Sequence, residues 1–142
     1  MKSKPIVMDN FSTVHSSFVI DFNFENNITI LMGDSGTGKT AVFSFIQECM
    51  AINSSLLCIN YLDYQKNILD ILGTAQGKLI VIDNADILLD DKARKYISLD
   101  DQNQYLIIGR NPRNLFTTKD NLYELVSQKD GERTKFTIAP YL

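Results

Sequence analysis

The sequence is defined first by what it has little of. It carries two cysteines, three prolines and no tryptophan in 142 residues. Two cysteines without metal-ligand spacing build neither a disulfide framework nor a zinc site. Cys49 and Cys58 read instead as small hydrophobes on a core helix and a core strand. With 44% hydrophobic and 22% charged residues, nothing suggests disorder or a linker. There is no excess of positive charge: the formal net charge is -3, so no global field favours nucleic acid, although a local basic patch stays open. The longest apolar runs, such as 79–82, are too short to span a bilayer. Lys2 and Lys4 precede only Pro5–Met8 before Asp9, which is not a signal-peptide pattern. No repeat or low-complexity segment is visible. The expectation is one cytoplasmic domain, long enough to bury a core.

What is present centres on Gly33–Thr40, GDSGTGKT, which fits G-x-x-x-x-G-K-[ST]. Glycines let such a loop curl until successive N–H groups form an anion nest. A helix starting there adds its own N-terminal N–H groups. Lys39 then reaches the outer phosphates of a nucleotide, and the Thr40 hydroxyl holds Mg²⁺. Ile28–Met32 before the loop is a buried-strand run, and Ala41–Glu48 after it is helical. That strand–loop–helix order is the context the motif requires.

On these residues the chain resembles the P-loop NTPases, and Gly33–Thr40 looks like their Walker A loop. The extra glycine at Gly36 is closest to the loops of ABC-type and AAA-type ATPases. The resemblance covers about residues 17–110. It implies a phosphate-binding set of Gly33, Asp34, Ser35, Gly36, Thr37, Gly38, Lys39, Thr40 and Ala41, with ATP and Mg²⁺ as ligands.

Around the loop, Pro5–Met8 reads as a short edge strand. Phe18, Ile20, Phe22 and Phe24 alternate with polar residues, giving a half-buried strand. Asn26-Asn27 is a turn that folds it back onto Ile28–Met32. In ABC-type ATPases an aromatic residue upstream of the loop stacks on adenine. Phe11 and His15 lie in that region, but the better reading is edge packing for Phe11 and a surface residue for His15. Val42, Phe45, Ile46, Cys49 and Met50 make one helical stripe. Ser55–Tyr61 reads as a strand, and Asp63 as the N-cap of a helix closed by Gly73.

Lys78–Asp83, KLIVID, has the look of a central parallel strand tipped by an acid, at the edge where open α/β sheets bind ligands. It resembles a Walker B strand, which makes Asp83 a second Mg²⁺ residue. Relatives of this division place Glu next. Here Asn84 stands in that position, and an amide orients a water but is no general base. Asp86 either takes over that role or caps the following helix, which runs 87–98 with Leu89, Ala93, Tyr96 and Ile97 inward. Gln104–Gly109 is another buried strand, after which Arg110 and Asn111 stand where AAA-like proteins carry a γ-phosphate sensor. Arg110 is either that sensor or a surface arginine in a turn. Lys129-Asp130-Gly131 signals a hairpin between Leu122–Ser127 and Thr134–Ile138.

The implied fold is α/β: a three-layer open, mainly parallel sheet with helices on both faces and antiparallel β-rich ends. A further strand is expected between the P-loop strand and the Walker B strand, the order of the additional-strand division. The stretch between Lys39 and Asp83 leaves no room for an ABC helical subdomain, and no N-K-x-D points to a GTPase. The reading is a minimal ATPase domain, with Lys39, Asp83, Asp86 and Arg110 as candidate catalytic residues. Hydrolysis is slow or dependent on a protein partner or a second copy. A small-molecule or nucleotide kinase, with Asp83 as base and Arg110 and Arg113 as phosphate clamps, is one alternative. A non-catalytic nucleotide-binding interaction module is the other.

Overall fold

The computed structural model describes residues 4–32, 38–60, 63, 66–109 and 119–141. Eight strands form one curled, mixed sheet in the order β1-β2-β8-β7-β3-β6-β5-β4. They are β1 (Asn10–Val14), β2 (Phe18–Asn23), β3 (Ile28–Met32), β4 (Leu56–Ile59), β5 (Leu79–Ile82), β6 (Gln104–Ile108), β7 (Leu122–Asp130) and β8 (Arg133–Pro140). The helices are α1 (Lys39–Cys49), α2 (Ile68–Thr74), α3 (Ala85–Leu88) and α4 (Asp91–Leu99).

This corrects the expectation of a three-layer, mainly parallel sheet. The two antiparallel pairs, β1–β2 and β7–β8, contain the longest strands and most of the strand residues. Their sequences explain why. Phe18, Ile20 and Phe22 of β2 turn inward while Asp21 and Asn23 face out, so the strand has one apolar face to bury. All the buried residues of β1, β2 and β8 pack on the α1 side of the sheet. Helices cover both faces only where the strands are mostly apolar and buried, in the block β3-β6-β5-β4. Every residue of β5 and β6 is buried. There α1 packs with Leu31, Val81 and Leu106 on one side. On the other side α2, α3 and α4 pack with Ile30, Ile80, Ile82 and Ile107. Within this block the neighbours run parallel, and β6 lies between β3 and β5.

Four local expectations also change. Asn26-Asn27 does not fold β2 onto β3, because β8 and β7 lie between them. Residues 5–8 form no strand; side-chain amides hold them instead. Asn27 Oδ1 accepts from Ile6 N–H, and Gln104 Oε1 accepts from the N–H groups of Val7 and Met8. The cap of α2 is Asn67, whose Oδ1 accepts from Asp70 N–H. Asp63 instead pairs with Lys66 at 2.7 Å, and Gly73 lies within the helix. The predicted helix 87–98 is two helices, and Asp90 restarts the second by accepting from Ala93 N–H at 2.8 Å.

Both cysteines are free, Cys49 on α1 and Cys58 on β4. Burial pushes the Cys58 thiol up to about 12, with Cys49 adding to it, so Cys58 is a packing group and no nucleophile. Phe11 is buried in the core. His15 lies against Phe45 at a ring separation of 5.1 Å, with Glu48 at 4.0 Å. Among the described residues no helix is long and apolar enough to cross a membrane.

Candidate functional site

Parallel strands put their carboxyl ends on one edge. β3 ends at Met32, β5 at Ile82 and β6 at Ile108. Gly109 N–H donates to Leu31 O at 3.4 Å, and Asp83 N–H to Ile59 O at 2.9 Å. The backbone at this edge is therefore tied across neighbouring strands, and four sequence-predicted residues meet there.

Gly38 opens α1. Its φ of 98° is left-handed, a conformation that costs an L-residue about 1–2 kcal/mol. A Cβ on it would also stand 2.9 Å from Phe136 Cε1 on β8. Glycine is thus required twice, by backbone angle and by contact. The antiparallel part of the sheet acts on the site here, since Phe136 is the wall against which the helix start is set. Gly38 O accepts from Val42 N–H at 2.9 Å, the first turn of α1.

Lys39 follows on the first helical position and is buried, at 8% exposure. Its Nζ donates to Gly109 O at the tip of β6, 3.3 Å away. A buried ammonium needs polar company, and the second group is Asp83. Burial holds the Asp83 carboxyl above the usual range, while the Asn84 N–H and the Lys39 ammonium pull in the opposite direction. Asn84 N–H reaches Asp83 Oδ1 at 2.9 Å. The carboxylate, amide and ammonium thus form one electrostatic unit across β5, β6 and α1. Thr40 is exposed and Ala41 half-buried on the first turn of α1.

Asn84 itself is the one described non-glycine residue with positive φ, at 53°. Asn tolerates this region better than other non-glycine residues. Its presence after Asp83 is therefore a backbone requirement, a reason no motif comparison supplies. Asn84 is also the N-cap residue of α3. Asp86 does not cap it; it lies in the first turn, exposed. Its Oδ1 comes so close to Gly109 that a Cβ built there would be 2.2 Å from it. The sequence reading missed Gly109. The only signal for it was a glycine directly after a fully apolar strand.

Gly33, Asp34, Ser35, Gly36 and Thr37, together with Arg110, Asn111 and Arg113, lie outside the described residues. Among the described residues, no three His, Cys, Asp or Glu side chains gather as a metal site. The oxygen donors proposed for a metal are the Asp83 carboxylate and the Thr40 hydroxyl. Hard oxygen donors of that kind suit Mg²⁺ held jointly by protein and substrate phosphates, and do not make an all-protein cage. The edge as a whole presents a buried cation, a half-buried anion and an exposed carboxylate to solvent. No family model, curated protein or solved structure matches the chain.

Proposed function

We propose that the chain binds ATP with Mg²⁺ at the carboxyl edge of β3, β5 and β6 and hydrolyses it slowly, as a nucleotide-dependent switch or subunit. The observation that carries this reading is the placement of Lys39. A buried ammonium at the head of a helix, directly after the glycine motif, stands within electrostatic reach of an acid that burial has made reluctant to ionise. An incoming phosphate gives Lys39 a stronger partner than the Gly109 carbonyl, and a divalent cation gives Asp83 its charge partner. Thr40 and Asp83 are the residues to hold Mg²⁺. The metal would neutralise phosphate charge, and the chain's own groups orient the nucleotide. The choice of ATP rests on the likeness of Gly33–Thr40 to ABC-type and AAA-type loops.

Turnover is slow because Asn84 cannot take a proton from water. General-base help is worth roughly 10²- to 10⁴-fold. A partner or a second copy would supply what is missing. The two free cysteines fit a reducing, cytoplasmic setting.

The test is equilibrium binding of a fluorescent ATP analogue with Mg²⁺ and with EDTA, followed by phosphate release from ATP alone. Mg²⁺-dependent binding with release below about 1 s⁻¹, the low end of ordinary turnover, is the expected result. Release that needs an added acceptor would make the chain a kinase. No binding under either condition would remove the proposal.

A further inference from the structure

Gly109 has an ordinary backbone angle, outside the left-handed range that favours glycine. Alanine can adopt it, so glycine is there for space. What fills the space is a single atom: Asp86 Oδ1, at 2.2 Å from where a Cβ would stand, with the next side-chain carbons at 3.4 and 3.7 Å. The same residue offers its carbonyl to Lys39 Nζ at 3.3 Å. One peptide at the tip of β6 therefore meets a carboxylate on one side and an ammonium on the other.

We infer that Gly109 is a positioning residue of the proposed nucleotide site: its missing side chain is the seat that holds the Asp86 carboxylate at the edge beside Lys39. This rests on the function proposed above and deepens it. Asp86 is not a helix cap, and Asn84 has no basic group. Glu124, in register with Met32, is a further acid at this edge, whereas the Asp86 carboxylate lies against the Gly109 peptide that Lys39 holds. From the seat it accepts a hydrogen bond from the attacking water. The water oxygen bonds to the terminal phosphorus as the bond to the bridging oxygen breaks. ADP leaves with that electron pair, and the water's proton passes through Asp86 to solvent. The residual slow hydrolysis depends on Asp86 staying seated.

Asp86 Oδ1 is the far end of an exposed side chain, so a methyl group at 109 should shift that carboxylate and leave the backbone where it is. Gly109→Ala should fold. A crystal structure of that variant without nucleotide should show the Asp86 side chain turned away from β6, a readout independent of ATP. With Mg²⁺ and ATP, single-turnover hydrolysis should fall about 10- to 100-fold, the scale of a misplaced group. ATP affinity should stay within about twofold of the unaltered chain's, because the substitution leaves the Gly109 carbonyl that Lys39 holds in place; the expected loss is in transition-state terms only. Asp86→Ala should cause the same fall, and adding Gly109→Ala to it should cause no more. Asp86 unmoved in the crystal would overturn the inference, and so would equal further losses from Gly109→Ala in both backgrounds. Hydrolysis unchanged in Gly109→Ala while ATP still binds would overturn it too. An unaltered chain that binds no ATP removes the proposed function and this role with it, while the crystal structure still decides whether Asp86 fills the space at Gly109.

Discussion

At their amino ends the strands β3, β5 and β6 meet neutral amides, and at their carboxyl ends the same strands meet ions. Asn27 and Asn103 stand directly before β3 and β6, and Gln104 begins β6; all three are buried. Asn103 Oδ1 accepts from Lys78 N–H, and its Nδ2 donates to Ala75 O and Asp100 Oδ2. Asn27 Nδ2 donates to Asn103 O, and Gln104 closes on Met8 from both its atoms. These amides satisfy backbone groups that have no strand partner, and each carries its bonds in a low-dielectric interior. At the opposite end Asp83 is held above its usual range, Asn84 is left-handed, and Lys39 is buried on a carbonyl. The amino end is the more relaxed by comparison, although Asn26 Oδ1 and Thr29 Oγ1 are buried near it without a hydrogen-bond partner among the described residues, and the carboxyl end is strained at Asn84. Strain kept by an otherwise well-paired fold concentrates where ligands act. Amino-end substitutions should therefore cost the most stability and spare the site, and carboxyl-end substitutions should cost less stability and impair the site.

The largest effect is expected at the relaxed end. Asn103→Ala leaves Lys78 N–H and Ala75 O buried without their partner and should cost about 2–4 kcal/mol. Chemical denaturation measures it, and a loss under about 1 kcal/mol would break the comparison. Next comes the left-handed residue. Asn84→Ala should cost about 1 kcal/mol while Asn84→Gly stays within about 0.5 kcal/mol of the unaltered chain. If the two variants melt together, Asn84 is not held by its backbone. The same strain opposes Asn84→Glu, so inserting an acid there should destabilise the fold even if it speeds the proposed hydrolysis.

Asp83→Asn sharpens the comparison through pH. With its folded value raised by burial, Asp83 binds its proton more tightly folded than unfolded. Its contribution to stability is full below the ordinary carboxylate value and is lost as pH rises through the raised folded one. The asparagine variant lacks that loss, so without ligand it should melt higher than the unaltered chain at neutral pH and show no such gain at acid pH. Its Mg²⁺-dependent ATP binding should weaken by about tenfold or more. A lower neutral melting temperature would mean that Asp83 is a structural anion. The smallest effect is expected from His15→Ala, away from both ends on the β1–β2 hairpin. It should change stability by no more than about 0.5 kcal/mol and leave ATP affinity alone, and a clear loss of affinity would make His15 the adenine contact.

How much of this was legible in the sequence follows the range of the interactions. β3, α1, β4, β5, β6 and the β7–β8 hairpin were visible, because burial on one or two faces writes itself into periodicity. Lys39, Asp83 and Asp86 were visible as candidates from motif spacing. The rest depends on distant partners. Residues 5–8 look like a strand by composition but are held by Asn27 and Gln104. The pairing of β2 with β8 brings together segments from opposite ends of the chain. Alternation marked β2 as one-faced, yet not which neighbour it takes, and for that reason the antiparallel ends were expected but their weight in one curled eight-stranded sheet was not. Gly109 could not be singled out, since its meaning lies in an Asp86 oxygen from another element.

The central claim is that the carboxyl end binds nucleotide and the amino end only supports it. The most direct test is the rise in melting temperature caused by Mg²⁺ and ATP, measured for the unaltered chain, Lys39→Met and Asn103→Ala. At 100 times Kd a ligand that binds only the folded state adds about 2.7 kcal/mol, a rise of roughly 8–12 °C for a domain of this size. Lys39→Met keeps the buried stem and removes the charge. The account predicts the full rise in the unaltered chain and, from a lower starting point, in Asn103→Ala, with almost none in Lys39→Met. An undiminished rise in Lys39→Met would contradict it.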